Sequence, residues 1–257
     1  MSRRAGWALA AGACLAAALS PARADDRRSG LSFMSPALQA LQRDDAQNPG
    51  MLWVQDGAAL WRAPAGAGGK VCADCHGDAA QSMAGVASRY PAWDTASAAP
   101  INLAGRINAC RQRHQQAPPL GADQPDLLAL SAYLGLQSRG RPMAPPADER
   151  LAPVRAQGQA LWQQRLGQLN LACSHCHDQR AGQRLGGAAI PQGHATGYPT
   201  YRLEWQALGS LQRRLRGCVV GVRAEPFAPD APEWLALEAW LAVRATGMPL
   251  EAPAVRP

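Results

Sequence analysis

Two pentapeptides, Cys72-Ala-Asp-Cys-His76 and Cys173-Ser-His-Cys-His177, constrain this chain more than any feature of its composition. Each sets two thiols three residues apart with an imidazole directly behind the second. That is the pattern by which haem c is attached: the cysteines take the vinyl groups as thioethers, and the histidine ligates the iron from one face. A zinc or disulfide knuckle would use the cysteines and leave both histidines without a task. Two covalently bound haem c groups are therefore expected, one on Cys72, Cys75 and His76, the other on Cys173, Cys176 and His177.

The N-terminus reads as an export leader. Arg3 and Arg4 precede an apolar, alanine-rich run from Trp7 to Leu19, and Ala22-Arg23-Ala24 offers a small-x-small cleavage site. Residues 1–24 are expected to be a signal peptide, which predicts a periplasmic protein. The apolar run is shorter than the ~20 residues a membrane span requires, and no later segment approaches that length. The chain beyond the leader is long enough for two small domains. The net charge of +7 comes almost wholly from arginine, with Lys70 the single lysine, and suits anionic partners or substrates. Nucleic acid is not expected as a partner, because the arginines are scattered rather than clustered with aromatics.

The chain is also written twice. A shift of 101 residues lays Gly57, Leu60, Trp61, Cys72, Cys75 and His76 on Gly158, Leu161, Trp162, Cys173, Cys176 and His177. A shift of 108 superposes Leu103, Arg106 and Cys110 on Leu211, Arg214 and Cys218, and a shift of 107 lays Pro125 and Tyr133 on Pro232 and Trp240. Each half thus runs amphipathic helix, haem motif, loop, cysteine-bearing helix and final helix. Leu127, Leu128, Leu130, Tyr133 and Leu134 repeat at the spacing of a buried helix face, as do Trp234, Leu235, Leu237, Trp240 and Leu241, with Glu238 expected on the outer side. The order resembles the cytochrome c fold. The expected fold is mostly α, two tandem cytochrome c-like domains related by an internal pseudo-repeat, with large haem-lining loops. Residues 25–50 form an N-terminal extension that could pack across the halves, 51–145 the first domain with haem 1, and 146–257 the second with haem 2 and the active site. Arg141-Pro-Met-Ala-Pro-Pro146 is read as the interdomain linker.

The second axial ligand of each iron largely decides function. Met143 and Met248 sit near the ends of the two repeats, where an electron carrier's methionine would stand; Met83, His114 and His194 are further candidates. His175 lies inside a motif and should point away from the iron. Against these stands the duplicated pair Cys110 and Cys218, each with an arginine four residues earlier, on the same face if the segment is helical. A thiolate beside arginine and ferric iron would have its pKa lowered. Their alternative is a Cys110–Cys218 disulfide bridging the halves. For either arginine, the alternative is to pair with a haem propionate.

With Arg213-Arg-Leu-Arg-Gly-Cys218, the two motifs and two extra cysteines make the chain resemble the SoxA family, dihaem cytochrome subunits of sulfur oxidation. That resemblance implies His76/Cys110 ligation at the first iron and His177/Cys218 at the second. It implies that Cys218 is the catalytic group, carried as a persulfide, with Arg214 binding substrate. The implied activity is L-cysteine S-thiosulfotransferase: oxidative conjugation of thiosulfate to a cysteine of a SoxYZ-like sulfur carrier, with electrons passed to haem and to a monohaem SoxX-like partner subunit. Arg213, Arg216 and Arg244 could add to the positive pocket. The competing readings are a dihaem electron carrier using Met143 and Met248, and a dihaem peroxidase, which would leave the duplicated cysteines without a purpose.

Overall fold

The computed structural model describes residues 26–257, so the expected leader lies outside the described residues. Among them no helix is long and apolar enough to cross a membrane. After a 3-10 turn at Gly30–Phe33 comes a short helix, α1 (Pro36–Arg43), started by proline at its first position and capped by the Ser35 side chain, which accepts from Leu38 N–H. The first half then runs α2 (Gly50–Arg62), α3 (Cys72–His76), α4 (Ala79–Ser82), a hairpin of β1 (Ala92–Asp94) and β2 (Ala99–Ile101), α5 (Leu103–Cys110) and α6 (Pro125–Leu136). The second half repeats it with α7 (Ala152–Gln163), α8 (Cys173–His177), a small hairpin of β3 (Arg184–Leu185) and β4 (Ala188–Ala189), then β5 (Thr200–Arg202), β6 (Ala207–Gly209), α9 (Leu211–Gly221) and α10 (Pro232–Arg244). β7 (Ala254–Arg256) closes the chain, pairing parallel to β5.

The expected crossing of first and last helices is present in both halves, and glycine makes it possible. A Cβ at Gly57 would lie 2.2 Å from the Ala129 carbonyl oxygen on α6, and one at Gly158 1.9 Å from that of Ala236 on α10. Only a residue without a side chain lets the backbones meet this closely. Trp61 and Trp162, each 3% exposed, fill the crossing from the side of the motif.

Two expectations need revising. Residues 141–146 do connect the halves, but they are not a free linker. Pro142 bridges Pro249, Met143 N–H donates to the Met248 carbonyl, and Met143 is buried with Met248, Ala245 and Leu250 in a core of their own. Prolines signal turns from sequence, and they serve equally well in an extended segment whose partners lie far along the chain. Glu238 also departs from its expected outer position. It faces inward between the halves, where Asn102 Nδ2 donates to both its oxygens at 3.1 Å and Gln212 Nε2 donates at 2.7 Å.

The N-terminal extension packs across both halves. Leu38 joins the core of the first, the Gln42 side chain accepts from Val255 N–H at 3.0 Å, and Arg27 donates to the carbonyls of Arg244 and Thr246.

Candidate functional site

Each motif opens a short helix whose start is braced by its own third residue. In α3 the Asp74 carboxylate accepts from Val71 N–H at 2.9 Å; in α8 the His175 Nδ1 accepts from Ala172 N–H at 3.2 Å. His175 is thereby occupied in the turn, and it does not line the neighbouring cavity. The motif histidines are stacked against the crossing tryptophans, His76 with Trp61 at 5.6 Å between ring centroids and His177 with Trp162 at 5.5 Å. Trp61 Nε1 donates to the Gly77 carbonyl; Trp162 Nε1 donates to Asp178, which also holds Arg244 at 2.7 Å. His177 Nδ1 lies 2.7 Å from the Pro191 carbonyl oxygen. Holding that nitrogen as a donor leaves Nε2 as the lone-pair side, as a metal-bound imidazole requires.

A cavity of about 330 Å³ stands over the first motif, lined by Cys72, Cys75, His76 and Cys110 together with Ile107, Leu130 and Leu134. A second, of about 160 Å³, is lined by Trp162, His177, Tyr198, Arg202, Arg214 and Cys218. Cys173 and Cys176 do not line it, although Cys173 is close enough to Cys218 for their charges to interact. Haem c suits the first cavity, with apolar walls for the macrocycle, two thiols for its vinyl groups, and imidazole with thiolate as donors to iron; the second offers the same two donor types in His177 and Cys218. Cys110 and Cys218 are free thiols lining different cavities, so no disulfide joins them. Met143 and Met248 line neither motif cavity. Met83 and His114 line the first and His194 the second.

Both cysteines sit on helices, α5 and α9, capped by Asn102 and Ser210 in matching positions, so Arg106 and Arg214 do lie one turn before them. The surroundings of the two thiols differ. Burial raises the pKa of Cys110, and Arg106 and Arg113 only partly offset it. Both of those guanidiniums are spent on Asp94, at 2.9 and 2.5 Å, and their grip holds the Asp94 carboxyl far below the usual range. Burial also opposes ionisation of Cys218. There a hydrogen bond with His177 and the charges of Arg214 and Arg202 outweigh it, and the thiol is pulled below its ordinary value. Among the described residues no carboxylate pairs with Arg214.

The arginines expected to enrich this pocket are not the ones found there. Arg213 stacks over Trp205 at 4.1 Å, Arg244 is held by Asp178 over the Trp162 ring, and Arg216 is absent from the lining. Arg202 and Arg256 supply the positive charge instead. Arg256 is tied to Gln42 and to Glu251. Arg202 holds Glu204 at 2.8 Å while its Nε is buried without an acceptor, and burial together with the nearby Arg214 lowers its pKa. The sequence does carry a signal for Arg202: the shift of 108 that aligns the cysteines also lays it on Asp94.

A family model described as the SoxA/TsdA cytochrome c domain matches the chain twice, over residues 56–143 and 157–250. The L-cysteine S-thiosulfotransferase subunit SoxA of Pseudaminobacter salicylatoxidans is 39% identical over 90% of this chain and 82% of that protein. The protein of the same description from Rhodovulum sulfidophilum is 36% identical over 91% of this chain and 82% of its own. Among solved structures, SoxXA from P. pantotrophus superposes with a TM-score of 0.86 at 32% identity, covering 90% of this chain and 87% of that one.

Proposed function

Because this chain belongs to the SoxA/TsdA cytochrome c family, carrying covalent haem c on tandem cytochrome c domains, we propose that it is an L-cysteine S-thiosulfotransferase whose second half holds the active site. One haem is assigned to each motif, His76 and Cys110 serving the first iron, His177 and Cys218 the second. The domains are taken as 51–145 and 146–257 behind the extension 25–50. The reaction joins thiosulfate to the cysteine of a SoxYZ-like carrier. An S–S bond forms, the thiol proton is released, and two electrons leave; haem, when bound, supplies the acceptor for them, and a monohaem SoxX-like subunit is the expected partner. The signal peptide at 1–24 makes the protein periplasmic.

The single observation that carries this reading is the placement of Cys218 in one cavity with His177 and with Arg214, an arginine that no carboxylate pairs among the described residues. A thiolate is the sulfur nucleophile such chemistry needs. Arg214 can hold the sulfonate oxygens through parallel charge-assisted hydrogen bonds, which orients the terminal sulfur of thiosulfate toward Cys218. Burial of the pocket strengthens each of these interactions. The test is direct. Purified holoprotein with its partner subunit, thiosulfate and the carrier should add the mass of a thiosulfonate group to the carrier cysteine, and omission of an electron acceptor should stop it. Unmodified carrier under complete conditions would refute the assignment.

A further inference from the structure

The two cysteine-bearing helices start at the seam between the halves, and each start is tied to an acid from the other half. Asn102 caps α5 through Oδ1, which accepts from Gly105 N–H at 2.8 Å, while its Nδ2 donates to both oxygens of Glu238 on α10. Ser210, in the matching position, caps α9 through Oγ, which accepts from Arg213 N–H at 3.0 Å and donates to Asp123 at 2.7 Å. Glu238 reaches further than Asp123. It also accepts from Gln212 Nε2, on the first turn of α9, at 2.7 Å. We infer that Glu238 is a positioning residue for both sites: one carboxylate fixes the starts of α5 and α9, and with them the stance of Cys110 and Cys218 toward their motif histidines. The inference rests on the histidine/thiolate ligation proposed above.

The anchor itself is held firmly. α10 meets α7 where Gly158 faces the Ala236 carbonyl, and Ala236, Leu237 and Ala239 beside Glu238 are each at most 4% exposed. A carboxylate suits the place, because the partial positive charge at a helix start favours an anion, and two helices start beside it. Being an acceptor only, it takes donors from both helices at once. Removing it would leave the Asn102 and Gln212 amides without this acceptor at a seam cavity of about 140 Å³, which Tyr90, Asn102, Ser131, Tyr198 and Ser210 also line. Both helix starts would then be free to shift into that space. Tyr90 and Tyr198 each line the seam cavity and one motif cavity, whereas Glu238 lines neither motif cavity. Its influence on the thiols therefore runs through the helices. Cys110 ends the eight residues of α5 and Cys218 lies within the eleven of α9, so a tilt at the first turn is passed along each to its cysteine.

The experiment is electron paramagnetic resonance of the oxidised holoprotein, with carrier conjugation measured alongside. Glu238→Ala should shift both low-spin signals and lower kcat by about tenfold or more while KM for thiosulfate stays within about twofold, since the thiolate is misplaced and the anion contact is not. Glu238→Gln, which keeps an acceptor oxygen, should shift both signals less. Asn102→Ser keeps a cap of the kind seen at Ser210 but gives up the donor to Glu238, and should shift the first signal alone; Gln212→Ala should shift the second alone. A residue that only adds stability would lower the unfolding midpoint and move no signal. Glu238→Ala with two haems per chain and either signal unmoved overturns the inference. If that variant does not assemble, Asn102→Ser and Gln212→Ala decide, and an unmoved signal from either overturns it equally. Wild type without histidine/thiolate signals would instead overturn the ligation reading beneath it.

Discussion

In the first half Asp94 grips Arg106 and Arg113 beside Cys110; in the second, the same strand position is Arg202, and Arg214 stands beside Cys218 with no carboxylate to hold it among the described residues. Around this difference the parts are shared. Both halves have a glycine at the helix crossing, a tryptophan against the motif histidine, and a capped helix carrying arginine and cysteine four residues apart. A repeated frame with repeated ligand types does not make a repeated site. Charge balance does the sorting. One pocket ties both cations beside its thiol to a single buried carboxylate and keeps the thiol pKa high, while in the other Arg214 has no carboxylate partner among the described residues and the thiol is drawn down.

The largest effect expected from this contrast is catalytic. Cys218→Ala should lower carrier conjugation by about a thousandfold or more, the scale of losing a nucleophile, while Cys110→Ala should retain most of the rate despite an altered first haem. Equal losses, read by mass spectrometry of the carrier, would break the comparison. The shared frame should respond evenly. Gly57→Ala and Gly158→Ala each drive a methyl into a facing backbone and should each cost about 3 kcal/mol or more in urea or thermal unfolding. A variant that is neutral in one half would show that the crossings are not equivalent.

Glu238 sharpens the picture at the seam between the halves. Burial pushes its pKa up to about 7, against opposing hydrogen bonds from Gln212 and Asn102. Its folded-state pKa exceeds the ordinary 4.5, so the folded protein holds the proton longer. The associated stability is fully present below pH 4.5 and is lost as pH rises through about 7. The loss amounts to at most about 3 kcal/mol at 1.36 kcal/mol per pKa unit. Glu238→Gln should flatten unfolding midpoints across that window; an unchanged slope would move the titration elsewhere.

The smallest expected effect concerns the paired arginines. Arg214→Lys keeps charge and loses the planar two-point grip, which should weaken transition-state binding by about 2 kcal/mol, roughly thirtyfold in kcat/KM. Arg106→Lys, engaged with Asp94, should change the rate little. Equal losses from the two would remove Arg214 from the active site.

Much of this is legible in the amino-acid sequence alone. The motifs, the order of helices and the helical placement of Cys110 and Cys218 follow from local spacing, which a sequence states openly. Arg202 escapes such a reading, because a three-residue strand has too little periodicity to be recognised and Asp94 declares its role only through contacts across the loop. Spacing places Glu238 outward because it reports one buried helix face, and it cannot report a second domain packed on the other side. Residues 141–146 resemble a linker because their partners, 247–250, lie a hundred residues away. For the same reason Arg244 passes as a pocket residue in sequence, although Asp178 and Trp162 hold it in the fold.

The measurement that bears most directly on the central claim is the electron paramagnetic resonance spectrum of the oxidised holoprotein and of its cysteine variants. Two low-spin ferric signals of the histidine/thiolate type are predicted, with Cys110→Met changing one and Cys218→Met the other, and with Met143→Ala and Met248→Ala changing neither. A single haem signal, or a low-spin signal abolished by either of those methionine variants, would contradict the account.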